Sequence, residues 1–142
     1  LYKSRRYPIS LMIGDLNKLK LINDNYGHSM GDKYIKLTAE TIESTLRTED
    51  IVARVGGDEF AIILPETDYT TAGSIAERIL DKIEQKNSVL SLPKPLSLAL
   101  GYETADCNNR NIEFRNIKKC YNKADQMMYE QKYYDHCDCC RQ

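Results

Sequence analysis

The chain has 142 residues, with 20 Lys and Arg against 21 Asp and Glu and a formal net charge of −1. At ~100–200 residues per domain, this is material for a single domain, residues 1–142, built around one core. A content of 42% hydrophobic and 29% charged residues excludes disorder, and a pI near 6.2 argues against nucleic-acid binding through a basic surface. Ile9 to Ile13 is a short apolar run after Pro8 that ends at Gly14-Asp15, which predicts a buried strand. Leu16, Leu19 and Ile22 space out a short helix to about Asn25, broken by Tyr26-Gly27-His28. Ser29 is a candidate cap for the next helix, which carries Met30, Tyr34, Leu37, Ile42 and Leu46.

Ile51–Val55 and Phe60–Leu64 are apolar runs joined by Gly56-Gly57-Asp58-Glu59, a hairpin signal. Phe60–Leu64, the longest apolar run, is far too short to span a bilayer, so no membrane contact is expected from these residues. Ala72, Ile75, Ala76, Ile79, Leu80 and Ile83 mark an amphipathic helix, with Asp68, Thr70 or Thr71 to cap it. Val89–Leu92 and Leu96–Tyr102 read as strands around Pro93-Lys94-Pro95, followed by a polar loop from Asp106 to Asn111. A last helix carries Ile117, Tyr121, Ala124 and Met128. The order β-α-α-β-β-α-β-β-α predicts an α/β or α+β fold, a sheet covered by helices.

Five cysteines, Cys107, Cys120, Cys137, Cys139 and Cys140, form an odd set crowded toward the end. That fits a reducing cytosol better than a secreted disulfide scaffold. His136-Cys137-Asp138-Cys139-Cys140 lacks the separated ligand pairs of a closed zinc site and reads as a frayed tail. With no initiator Met and no charged-then-apolar leader, the chain reads as a piece of a longer protein without a signal peptide.

Asp15 falls at the end of the first strand, and Asp58 and Glu59 at the hairpin tip. If the hairpin lies beside that strand, the three carboxylates converge at one rim. Clustered carboxylates repel unless a cation joins them, and hard oxygen donors suit Mg²⁺, which shares its coordination with phosphates. Acidic turn residues can equally be no more than solvated. Gly56 and Gly57 favour the first reading, because residues without side chains let a phosphate or ribose approach the backbone. In the stretch from Asn23 to Asp32, Asp32 can accept from guanine N1–H and its exocyclic amine together, and Asn23 offers a donor and an acceptor. Asp32 also suits a helix N-terminus, and a lone turn histidine such as His28 is usually structural, so the residues alone leave this stretch open.

Gly56-Gly57-Asp58-Glu59-Phe60 resembles the signature of the GGDEF family of diguanylate cyclase domains. Asp15 to Asp24 is similar to the family's strand-end metal motif, Gly27-His28-Ser29-Met30-Gly31-Asp32 to its GHxxGD box, and Ala124 to Tyr129 with Lys132 to its ADxxMY…K helix. The resemblance covers nearly all of residues 7–132 and implies a mostly antiparallel sheet with flanking helices, like the palm of nucleotidyl cyclases and polymerases, on a ferredoxin-like core. It implies condensation of two GTP into cyclic di-GMP and two pyrophosphates by an antiparallel homodimer. In that reading Asp15, Asp58 and the Leu16 carbonyl bind Mg²⁺ or Mn²⁺, and Glu59 ligates metal or acts as base. Asn23 and Asp32 read guanine, Lys20 and Lys132 hold phosphates, and His28, Gly56 and Gly57 line the substrate site. Arg47 and Asp50 match the family's RxxD site for inhibitory product, with Arg78 as its second arginine. Asn17 stands where a second metal-motif carboxylate is usual, and His136 where a phosphate-binding Arg is frequent. The family's segment before the first strand is absent, consistent with a chain trimmed from a multidomain signalling protein in the cytoplasm. The alternative is a GGDEF domain that senses GTP or cyclic di-GMP without turnover.

Overall fold

A computed structural model describes residues 6–108 and 114–136. Its elements run β1 (Arg6–Leu16), α1 (Leu19–Tyr26), α2 (His28–Thr45), β2 (Ile51–Arg54), β3 (Glu59–Leu64), α3 (Tyr69–Val89), β4 (Leu98–Asn108) and α4 (Phe114–His136). The four strands form one antiparallel sheet in the order β2-β3-β1-β4. With two helical crossovers joining the strands, this is a ferredoxin-like arrangement, and the fold is α+β as the sequence implies.

Alternation along β1 divides the molecule into two cores. Met12 and Leu16 face one side, where they join Phe60, Ile62, Leu64, Leu98 and Leu100 beneath α1, α2 and α3. Ile13 faces the other side and joins Ala99, Ala124 and Met128 beneath α4. Fully burying an aliphatic or aromatic side chain stabilises by roughly 1.5–3 kcal/mol, so a central strand packed on both faces anchors the fold. On the α4 side, cover extends over β4 and β1, while Ile51 and Ile63 of β2 and β3 stay exposed.

Gly101 permits the α4 packing. A Cβ there would collide with the Ala124 carbonyl oxygen and the Met128 amide, both backbone atoms that cannot swing aside.

Local signals decide some helix starts. Asp68 caps α3 by accepting from the Thr71 amide at 2.8 Å. For α2 the cap is Gly27, not Ser29, because a φ of 88° turns the chain between two abutting helices. β1 continues to Leu16, so α1 starts at Leu19 after a turn in which Lys18 adopts a φ of 63°.

Val89–Leu92 is not a strand. Val89 ends α3, and the segment to Ser97 is irregular. Pro93 and Pro95 lack the N–H a ladder needs, and side chains pair the backbone instead. Asn87 donates to the Leu96 carbonyl and accepts from its amide, while the buried Tyr34 hydroxyl bonds both backbone groups of Lys94. Residues 106–108, expected in a loop, extend β4 through pairing with Arg6 to Pro8. Residues 109–111 and Cys137, Cys139 and Cys140 lie outside the described residues. Among the described residues no helix is long and apolar enough to cross a membrane.

Gly101→Ala is expected to cost about 3 kcal/mol through forced displacement of α4. Gly57→Ala should stay within ~0.5 kcal/mol, since a Cβ there meets nothing within 4 Å. Urea unfolding of both variants checks this, and similar losses would contradict the packing argument.

Candidate active site

The register of β1 against β3 sets Asp15 directly opposite Glu59. The Leu16 amide donates to the Asp58 carbonyl at 2.8 Å, fastening the hairpin tip to the strand end. Asp15, Asp58 and Glu59 therefore converge at one rim, as the sequence expectation required. Leu16 contributes its backbone to the same junction, and its side chain lies in the core.

From α4, Lys132 Nζ donates to Asp15 Oδ2 at 3.0 Å. The other oxygen, Asp15 Oδ1, is buried without a hydrogen-bond partner among the described residues. Burial pushes the Asp15 carboxyl up from its ordinary value; the Lys132 hydrogen bond opposes this, and repulsion from Asp58 adds to it. Glu59 is also raised, by burial first and then by Asp125, Asp15 and Asp58, with a hydrogen bond from Tyr121 pulling the other way. Burial and the neighbouring carboxylates Glu59 and Asp125 raise the Tyr121 phenol in turn.

Tyr121 and Asp125 belong to this site, although the sequence reading gave Tyr121 to the core and Asp125 no chemical role. The signal was present: residues 121, 125, 128 and 132 fall on one helical face, the one that Met128 buries against the sheet.

A crowded carboxylate rim with an orphaned buried oxygen fits a hard divalent cation, with Asp15 and Asp58 supplying the side chains and the Leu16 backbone at the same junction. No group of three or more His, Cys, Asp or Glu side chains among the described residues forms a ready-made cage. Asn17 is buried and donates through Nδ2 to Ser97 Oγ at 2.9 Å, holding the turn after β1 to the segment before β4, and its Oδ1 is buried without a hydrogen-bond partner among the described residues.

Gly27 joins α1 to α2 and brings Asn23 beside Gly31 and Asp32. A Cβ at Gly31 would overlap Asn23 Oδ1, so this glycine is what allows the amide to lie over α2. Asp32, His28 and Lys20 are exposed. Gly56 and Gly57 have no positive φ, and the fold alone does not demand glycine at Gly57.

Arg47 and Asp50 form a clamp. The Asp50 carboxylate, 1% exposed, accepts from the Arg47 amide and guanidinium, which also donates to the Pro65 carbonyl and Thr67 Oγ1. A cavity of about 390 Å³ lies beside it, lined by Glu43, Leu46, Arg47, Asp50, Ile51 and Val52. Arg78 stands exposed on α3 and takes no part in the clamp. The His136 side chain lies outside the described residues.

The family model described as "Diguanylate cyclase, GGDEF domain" matches residues 1–135. The chain is 32% identical over 132 residues to the probable diguanylate cyclase DgcT of Escherichia coli K12, covering 91% of this chain and 28% of that protein. It is 36% identical over 123 residues to diguanylate cyclase DgcM of the same organism, covering 87% of this chain and again 28% of the relative. The chain thus spans under a third of each of these relatives. Among solved structures, the active GGEEF domain of a diguanylate cyclase from Vibrio cholerae superposes with a TM-score of 0.74 at 28% identity, over 89% of this chain and 77% of that one.

Because the fold raises the Glu59 carboxyl, the ionised form is less favourable in the native state than in the unfolded chain, and neutral pH carries a stability cost. Glu59→Gln is expected to raise the thermal midpoint at pH 7 in chelator, and to lose that gain as pH falls through the raised native value toward the ordinary 4.5. A midpoint that drops at pH 7 would contradict this electrostatic picture.

Proposed function

Since the chain belongs to the GGDEF family of diguanylate cyclase domains, we propose that it condenses two GTP into cyclic di-GMP with release of two pyrophosphates. The reading rests above all on one observation: the strand end and hairpin tip bring Asp15, Asp58 and Glu59 to a single rim, with Lys132 reaching in from α4.

Asp15, Asp58 and the Leu16 carbonyl hold Mg²⁺ or Mn²⁺, which supplies charge neutralisation at the triphosphate and acidifies the attacking hydroxyl. Asp32 accepts from guanine N1–H and the exocyclic amine, and Asn23, placed by Gly31, completes the guanine contacts. Lys20 and Lys132 bind phosphate oxygens, His28 borders the nucleotide, and Gly56 and Gly57 leave the hairpin tip open to it. Glu59 takes the proton from the 3′-hydroxyl, and its raised proton affinity suits a base. Each 3′-oxygen bonds to the partner nucleotide's α-phosphorus as the bond to pyrophosphate breaks. Each domain holds one nucleotide, so two copies must face each other in an antiparallel homodimer for both bonds to form.

In the same reading residues 1–142 are one domain of a longer signalling protein, acting in the cytoplasm where GTP is found. The product inhibits at Arg47, Asp50 and Arg78. Supporting this are the cavity beside Arg47 and the fork geometry of guanidinium for phosphate.

Incubating the protein with GTP and Mg²⁺ should yield cyclic di-GMP by mass spectrometry, at a rate rising with the square of protein concentration at low dose. Asp58→Ala should reduce turnover by roughly a hundred- to a thousandfold while the fold persists. Full activity in that variant would refute the metal assignment. GTP or cyclic di-GMP binding without product from the parent chain would favour the sensing module instead. Arg47→Ala should relieve product inhibition at an unchanged initial rate and cost about 1–2 kcal/mol in thermal unfolding through loss of the clamp. Unchanged inhibition would remove the RxxD assignment.

A further inference from the structure

Lys132 and Asp15 stand 117 positions apart in sequence and meet across the α4–β1 packing at 3.0 Å. The Asp15 side chain is 14% exposed and rides on the central strand, whereas the Lys132 side chain is 30% exposed on a helix. The acceptor is therefore fixed, and the donor sits on a flexible four-carbon stem with room to leave. The pair satisfies only part of the carboxylate, since Oδ1 remains buried and unpartnered among the described residues. Asp58, Glu59 and Asp125 crowd the same rim with further negative charge.

We propose that Lys132 is a placeholder cation for the carboxylate rim: it competes with the divalent metal for Asp15 and gives the carboxylate up when the metal enters. This rests on the metal reading above and adds a consequence to it. Two positive charges on one carboxylate repel, so each occupant weakens the other's hold on Asp15. Metal entry frees the ammonium for the next nearest anion, the triphosphate, and so links phosphate capture by Lys132 to occupancy of the metal site. By the same competition the lysine weakens metal binding in the absence of nucleotide.

The test is a Mn²⁺ titration without nucleotide, followed by the electron paramagnetic resonance of the free ion, on the parent chain, Lys132→Met and Asp15→Asn. Lys132→Met is expected to bind Mn²⁺ roughly three- to tenfold more tightly than the parent. If Lys132 serves phosphates alone and leaves Asp15 to the metal, that affinity stays level, and an unchanged or weaker affinity overturns the proposal.

Thermal unfolding in chelator separates competition at Asp15 from the mere removal of a positive charge. Lys132→Met should lower the midpoint in the parent but hardly change it in an Asp15→Asn background. Equal shifts in both backgrounds would again overturn it. Asp15→Asn that binds Mn²⁺ as tightly as the parent would sink the metal site itself, a failure distinct from that of the lysine's role.

Discussion

The register of the central strand governs everything else in this molecule. β1 lies between β3 and β4 with both faces buried, so a slip of one residue would drive Asp15 into the core beneath α1, α2 and α3. The same slip would turn Met12 and Leu16 toward α4. Packing on two sides thus fixes the register, and the Leu16–Asp58 backbone bond locks it at the functional end. Once the register is set, odd-numbered β1 residues face α4, and Asp15 has to meet whatever α4 carries. Gly101 completes the arrangement by letting the helix backbone lie directly on β4.

On that rigid frame the rim is held in an unfavourable electrostatic state. Burial and mutual repulsion raise both Asp15 and Glu59, and an orphaned oxygen remains on Asp15. A sequence selected for stability alone would neutralise one of these groups. Two further local choices are not ones the fold itself requires. Gly57 sits where a side chain would fit in open space, and Lys18 adopts a left-handed backbone that Gly or Asn would take at lower cost. A scaffold whose stability comes from the two cores tolerates such departures.

The helices were legible because their apolar spacing and caps are local: the α3 stripe and the Asp68 cap both appear in the structure as the sequence spaces them. The hairpin was legible from its glycines. Strand ends were not, since Arg6 to Pro8 and Asp106 to Asn108 become strand by pairing with each other rather than by composition. Val89–Leu92 misleads because three apolar residues around Ser91 look alike at a helix end and in a strand. What decided the matter was distant: Tyr34 and Asn87 supply the hydrogen bonds that hold the following segment irregular. At the site, the carboxylates could be placed once the hairpin was set beside β1, whereas the roles of Gly31 and Tyr121 depend on contacts between separate elements. The Arg47–Asp50 spacing was visible, but its grip on Pro65 and Thr67 was not.

The most direct measurement is an anomalous diffraction map of the chain crystallised with Mn²⁺ and α,β-methylene GTP. The expected result is a manganese peak coordinated by Asp15 and Asp58, with the guanine against Asn23 and Asp32. Manganese absent from that rim, or the nucleotide bound elsewhere, for instance in the roughly 450 Å³ cavity that Lys18 and Lys94 border, would contradict the site as described.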